Sequence, residues 1–277
     1  MSLGGGYEEY AFVADFYDHV GRYRDRPDVG FFVDAARAAG SPLLEVGCGT
    51  GRVLIPTARA GLKIVGLDSS PHMLSVCRQR MRDEPAAVQS KVHLVQADMR
   101  AFELGRRFTL ATLPFRPFQH LLTVSDQLAC LTSIHRHLAD EGRLVFDIFN
   151  PSLDMLVTRP VGEEFDSDPE VVMDDGQRVY RRGKIVGHDR FTQVTQHELI
   201  YYISHPDGRT ERVVHAFSMR NTFRFEAEHL LMRAGYEIEH LYADFDRTPY
   251  GSTYPGELIF VARKRQPSAI SPAHSGQ

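Results

Sequence analysis

Over its first 150 positions the chain alternates two hydrophobic patterns. Short apolar runs at residues 43–46, 63–67, 92–96, 108–113 and 144–149 are the length of buried strands. Between them lie stretches with apolar residues at helical spacing. These predict helices over 7–20, 29–39 and 52–60, one starting at Ser70-Pro71, and one over 126–138. The last carries Leu128, Leu131, Ile134 and Leu138 on one stripe, and Asp140-Glu141-Gly142-Arg143 after it reads as a turn. Strand and helix in regular turn predict an α/β fold with a parallel sheet. From residue 152 the alternation stops. Runs at 179–186, 190–204 and 212–219, rich in β-branched and aromatic residues, are separated by turn-like Gly187-His188-Asp189 and Pro206-Asp207-Gly208. They predict an inserted antiparallel sheet. A helix over 225–234, stopped by Gly235, and strands at 236–242 and 258–262 return to the first pattern.

The junction of the first strand with its helix carries the chemistry. Glu45 is followed by Gly47, Gly49 and Gly51 at alternate positions. A glycine turn between strand and helix lets backbone approach a ligand closely and points helix N–H groups outward. In the dinucleotide fingerprint the third glycine falls three residues after the second. Here it falls two after, and Arg52 takes the fingerprint position. The next two strands end in acids, Asp68 and Asp98. A carboxylate after the second strand suits a pair of ribose hydroxyls.

Glu-x-Gly-x-Gly-x-Gly with Asp68 and Asp98 in that order resembles the class I S-adenosylmethionine (SAM) methyltransferases over about residues 7–264. The resemblance implies a Rossmann-like, seven-stranded sheet with its last strand antiparallel, flanked by helices, and an inserted antiparallel β lid. It divides the chain into a SAM-binding core with N-terminal helices (1–150), an inserted β-rich lid or substrate subdomain (151–224) and the C-terminal part of the core (225–265). A tail rich in Pro, Ser, Ala and Gly (266–277) is expected to be disordered. The implied cofactor-binding residues are Tyr17, Glu45, Gly47, Cys48, Gly49, Gly51, Asp68, Ser69, Met73, Asp98, Met99 and Leu113. Asp18 beside Tyr17 is a further candidate to cover the cofactor. Thr109 stands where family members commonly carry Asp, a departure at a mostly structural position. Arg116 and His120, polar in an apolar run after the fourth strand, are the catalytic or substrate-holding candidates. Tyr250, Tyr254, His215 and Arg220 are lesser candidates for the pocket wall.

The implied reaction is in-line transfer of the methyl group of SAM to an N or O atom of a small-molecule acceptor. A protein or RNA methyltransferase and a SAM-binding protein without turnover are the alternatives. A formal net charge of -4 and 25% charged residues disfavour a dedicated nucleic-acid binder. No apolar run approaches the ~20 residues of a membrane span, and no basic region followed by an apolar one opens the chain. The three cysteines have no metal-like or redox spacing, so no metal is expected and they suit a reducing cytoplasm. A monomer or homodimer is expected.

Overall fold

The computed structural model describes residues 11–265. The expected tail at 266–277 and the first four residues of the expected helix over 7–20 lie outside the described residues. The chain opens with α1 (Ala11–Tyr17), α2 (Gly21–Arg24) and α3 (Asp28–Ala39). Then come β1 (Leu43–Val46), α4 (Leu54–Arg59), β2 (Ile64–Asp68), α5 (Pro71–Arg82), α6 (Ala86–Gln89), β3 (Val92–Gln96) and β4 (Phe108–Leu113). A 3-10 turn at Pro117–His120 leads to α7 (Val124–His137) and β5 (Leu138–Ile148).

After β5 the short α8 (Leu153–Thr158) precedes β6 (Glu164–Asp166), β7 (Val171–Val172), β8 (Arg178–Asp189), β9 (Val194–Ser204) and β10 (Thr210–Arg220). Helix α9 (Arg224–Arg233) and strands β11 (Tyr236–Tyr242) and β12 (Leu258–Lys264) complete the order.

The main sheet has seven strands in the order β11-β12-β5-β4-β1-β2-β3. Strands β1 to β5 pair in parallel, and β12 is antiparallel to both β5 and β11. Its central strands are apolar on both faces because helices cover both. On one face Cys130, Leu131 and Ile134 of α7 and Leu231 of α9 pack with Phe146 and Phe260. On the other, Phe32 and Ala36 of α3, Leu54 and Ala58 of α4 and Leu74 of α5 pack with Leu43, Leu110 and Ile259. All three cysteines are free and buried.

Strands β8, β9 and β10 form the body of a second, antiparallel sheet with β6 beside β8. Against the N-terminal helices its contact is an apolar cluster, Val13 and Phe16 of α1 and Val20 packing on Val179, Tyr201 and Ile203. Polar bonds, such as Arg181 to Tyr23 Oη and Gln119 of the 3-10 turn to the Arg220 carbonyl, add to its attachment. The Tyr201 ring meets Phe12 and Phe16 edge-on, with centroids 5.6 and 5.4 Å away.

Two expected turns are in fact strand. Gly187, His188 and Asp189 belong to β8, pairing with Gln196, Thr195 and Val194 after a register shift between Ile185 and Gly187. The reversal comes later, at 190–193, where the Asp189 carboxylate accepts from the N–H groups of Phe191 and Thr192 and Gln193 takes a φ of 59°. The expected turn at 140–143 is a bulge inside β5. Phe108 pairs with Leu138 but Leu110 with Arg143, so residues 139–142 loop out, with Glu141 at φ 63°. A Cβ at Gly142 would stand 2.9 Å from the Ala139 carbonyl oxygen.

Candidate active site

The glycine turn leaves β1 at Gly47, which has a φ of 71° and no room for a Cβ: one would sit 2.9 Å from Pro117 Cβ. Gly49 is also left-handed, at φ 53°, but a Cβ there would meet nothing within 4 Å. The turn thus has a packed side and an open side. Gly47 and Cys48 N–H groups donate to the Leu67 carbonyl at the end of β2. The Asp68 carboxylate closes the arrangement, its Oδ2 accepting from Gly49 N–H at 2.8 Å and its Oδ1 from Ser70 N–H at 2.9 Å. These two bonds fix the orientation of the carboxylate at the turn. Ser70 also caps α5, accepting from Met73 N–H, with Pro71 in the first turn.

The open side faces a cavity of about 1170 Å3. The turn contributes Gly47 and Gly49, β2 and α5 contribute Asp68, Ser69 and Met73, and the end of β3 contributes Asp98 and Met99. Tyr17 closes it from α1, and Arg116 and His120 stand at the far side of the 3-10 turn. The wall opposite is Leu199, Phe217 and Met219 of the second sheet. Of the fourteen residues named as cofactor-binding or catalytic, ten therefore share one cavity, and four do not. Glu45, Cys48, Gly51 and Leu113 lie behind the turn, in the protein interior. Cys48 and Leu113 are buried in the two cores. A Cβ at Gly51 would stand 2.8 Å from Cys77 Sγ, so that glycine serves the packing of α5 on the turn. Glu45 is 2% exposed, and burial, opposed by Arg52, pushes its pKa from 4.5 up to about 8.

The remaining candidates have structural partners. Tyr250 accepts from Asn150 Nδ2, and Tyr254 Oη from Leu153 N–H. Arg220 donates to the Leu122 carbonyl, His215 is buried beside Phe217, and Asp18 links α1 to the turn through Thr50 and to α5 through Arg80. Thr109 donates to the carbonyls of Gly40 and Pro42, so its hydroxyl ties β4 to the loop before β1.

Three groups at the cavity escape sequence reasoning. Arg100 grips Asp98 through Nε and Nη2 and through its own N–H, and reaches Asp126 at 3.1 Å. The Arg100 guanidinium holds the Asp98 carboxyl below the usual range. Phe115 and Arg116 follow β4 with φ of 67° and 68°, left-handed values that cost bulky residues steric energy. The Phe115 ring is clasped by the guanidinium groups of Arg26 and Arg52, at 5.0 and 5.1 Å, and by Tyr17 and Tyr23 edge-on. Beneath it Asp28, fully buried, accepts two bonds of 2.6 Å from Arg52 and one of 2.9 Å from Arg26, which also holds Asp147. Asp147 in turn accepts from Phe115 N–H at 2.7 Å. This lattice holds the strained loop at the cavity wall. The one sequence signal for it is the unusual Arg-Asp density before β1 and Arg52 in the turn itself.

His120 has its ring open to the cavity, 5.7 Å from the Phe217 ring. Its depth in the protein lowers its pKa, opposed by a hydrogen bond to the Ser218 backbone. Arg116 pairs with Glu257 at 2.5 Å.

A seven-stranded sheet with one antiparallel strand, and a cavity bounded by a glycine turn and two strand-end carboxylates, define a nucleotide-binding transferase fold of the methyltransferase type. The comparisons agree. The methyltransferase-domain family model matches residues 43–142. The putative methyltransferase YqeM of Bacillus subtilis is 23% identical over 92% of this chain and 97% of its own. A dTDP-3-amino-3,6-dideoxy-alpha-D-glucopyranose N,N-dimethyltransferase of Streptomyces fradiae is 33% identical over 49% of this chain and 52% of its own. The SAM-bound structure of CalS10, an amino pentose methyltransferase from Micromonospora echinaspora, superposes with a TM-score of 0.67 at 25% identity, over 92% of this chain and 97% of that one. The comparisons thus place a methyltransferase domain over residues 43–142 and support a SAM-dependent methyltransferase with SAM as its cofactor. Among the described residues no helix is long and apolar enough to cross a membrane.

Proposed function

We propose that the protein transfers the methyl group of SAM to a nitrogen or oxygen atom of a small-molecule acceptor. The observation that carries this reading is the extent of the cavity. Its volume of about 1170 Å3 exceeds the ~300–1,000 Å3 of ordinary ligand pockets. It runs from the glycine turn to the second sheet, room for a nucleoside at one end and a second ligand at the other. The S. fradiae relative and CalS10 are by name enzymes of amino sugars, which supports an amine as the acceptor atom.

The turn residues Gly47 and Gly49 would lie under the cofactor, Asp68 would accept from its ribose hydroxyls, and Asp98 and Met99 would meet its adenine. Met73 and Tyr17 would pack against it from α5 and α1. The open space over Gly49 and the placing of Asp68 on the cavity wall fit such a ligand. When bound, SAM supplies a methyl group on an electrophilic sulfonium. The protein's part is to align the acceptor with it and to exclude water. His120 is neutral at neutral pH by virtue of its lowered pKa. Its ring lines the cavity, and a neutral imidazole nitrogen there can take a proton from the acceptor. Incubation with tritiated SAM and extract tests the acceptor class: label is expected in the small-molecule fraction, and label confined to protein or RNA would overturn the reading.

A further inference from the structure

Beyond Arg116 and Met219, which line both, lies a second cavity of about 170 Å3 between the 3-10 turn, α8 and the second sheet. It is below the ~300 Å3 at which ordinary ligand pockets begin, so it takes a substituent and not a whole ligand. Its electrostatic character differs from that of its neighbour. The main cavity is lined by four aspartates, Asp25, Asp68, Asp98 and Asp126, as well as by arginines. The ionisable side chains lining the small one are Arg116, Arg159, His188 and His197, all bases, and among the described residues no carboxylate lines it.

Two of these bases are left with unmet hydrogen-bonding capacity away from solvent. His188 Nε2 and Arg116 Nε are both shielded and make no hydrogen bond, although Arg116 Nε stands 3.9 Å from Asp147 and its Nη2 pairs with Glu257. The other nitrogen of His188, Nδ1, is 2.9 Å from Thr195 Oγ1, which accepts from Asn221 Nδ2 at 2.8 Å. That contact engages Nδ1 and leaves Nε2 as the unmatched atom, a donor when the ring carries its proton there. Burial, then His188, Arg159 and His120, hold His197 down to about 4, the direction a locally positive field produces. A concave recess lined by bases and by no carboxylate, with a shielded ring nitrogen left unmatched, is a place for an anion.

We infer that the small cavity is a subsite for an anionic group, a carboxylate or a phosphate, carried by the methyl acceptor. The acceptor's nucleophilic atom then lies across Arg116, in the main cavity. The inference rests on the reading of the main cavity as the cofactor and acceptor site. Arg116, which lines both cavities, serves as the partition, its Nη2 held by Glu257.

The test uses the full chain saturated with S-adenosylhomocysteine. Inorganic phosphate and, separately, acetate are titrated in at constant ionic strength against chloride, followed by heat and by the histidine ring signals. Saturable binding of at least one anion is expected, with the His188 and His197 signals moving. Binding of phosphate alone assigns a phosphate group, and of acetate alone a carboxylate. Arg159→Gln, at an exposed helix end, and His188→Gln are each expected to weaken anion binding tenfold or more and to leave S-adenosylhomocysteine affinity within twofold. Neither anion saturating, or both variants binding as the wild type does, would overturn the subsite. If S-adenosylhomocysteine itself failed to bind, the cofactor reading would fall and the subsite with it.

Discussion

Asp98 is held ionised by a neighbour that the spacing of acids along the chain does not reveal. Arg100 is two residues on and about half exposed, where an ion pair contributes little to stability and yields to a competing ligand. We expect Asp98→Asn to weaken S-adenosylhomocysteine binding about tenfold, ~1.4 kcal/mol, and Arg100→Gln by less than threefold, both by calorimetric titration. Glu45 makes the opposite case. The same glycine motif that brings it to notice also buries it, and depth reverses what its carboxylate does. Its folded pKa of about 8 lies above the ordinary 4.5. The folded chain therefore keeps a proton that the unfolded chain releases. That stabilisation is complete below 4.5, declines as pH rises through the interval, and is gone above about 8. Glu45→Gln should flatten the fall in melting temperature between pH 5 and 8 on a differential scan. An unchanged slope would mean that Glu45 is ionised in the fold.

At the scale of elements, the five parallel strands and the acids at their ends were legible because each pattern is local. A buried strand is an apolar run, and a strand-to-helix turn without Cβ is a run of glycines. Misreadings fell where the backbone departs from a regular pattern for tertiary reasons. Gly187-His188-Asp189 has turn composition, but β9 supplies pairing partners for all three, so β8 continues and His188 is carried to a cavity wall. Asp140-Glu141-Gly142 has it too, and the flanking pairs on β4 turn it into a bulge. The support of the loop after β4 was illegible for another reason: Arg26, Asp28, Arg52 and Asp147 are brought together from three separate segments. Removing one charge of such a buried set leaves its partners unmatched. Asp28→Ala is expected to lose about 3–5 kcal/mol in urea denaturation, whereas Arg37→Ala, whose pair with Asp34 is exposed, should lose less than ~1 kcal/mol.

On the scale of the molecule, α1 and the second sheet form one apolar unit over the cavity. Tyr201 is its centre, 2% exposed and in edge contact with Phe12 and Phe16. Tyr201→Ala should cost about 3–5 kcal/mol by analogy with other large core truncations, and should raise proteolytic cleavage within 164–220 in native conditions. Phe217 faces the cavity from the same sheet, on the side away from the glycine turn. Phe217→Ala should leave S-adenosylhomocysteine affinity within twofold and raise the KM of whatever acceptor is identified.

Asp68 is where these scales meet: a single carboxylate, oriented by Gly49 and Ser70, at the junction of β2 and α5, on the floor of the main cavity. Calorimetric titration of S-adenosylhomocysteine into the wild type and Asp68→Asn is the most direct measurement. Saturable binding at one ligand per chain is expected for the wild type, with affinity at least tenfold lower in the variant, ~1.4 kcal/mol or more. Equal affinity in the two proteins, or no heat and no thermal shift in the wild type, would contradict the placement of the cofactor at the glycine turn.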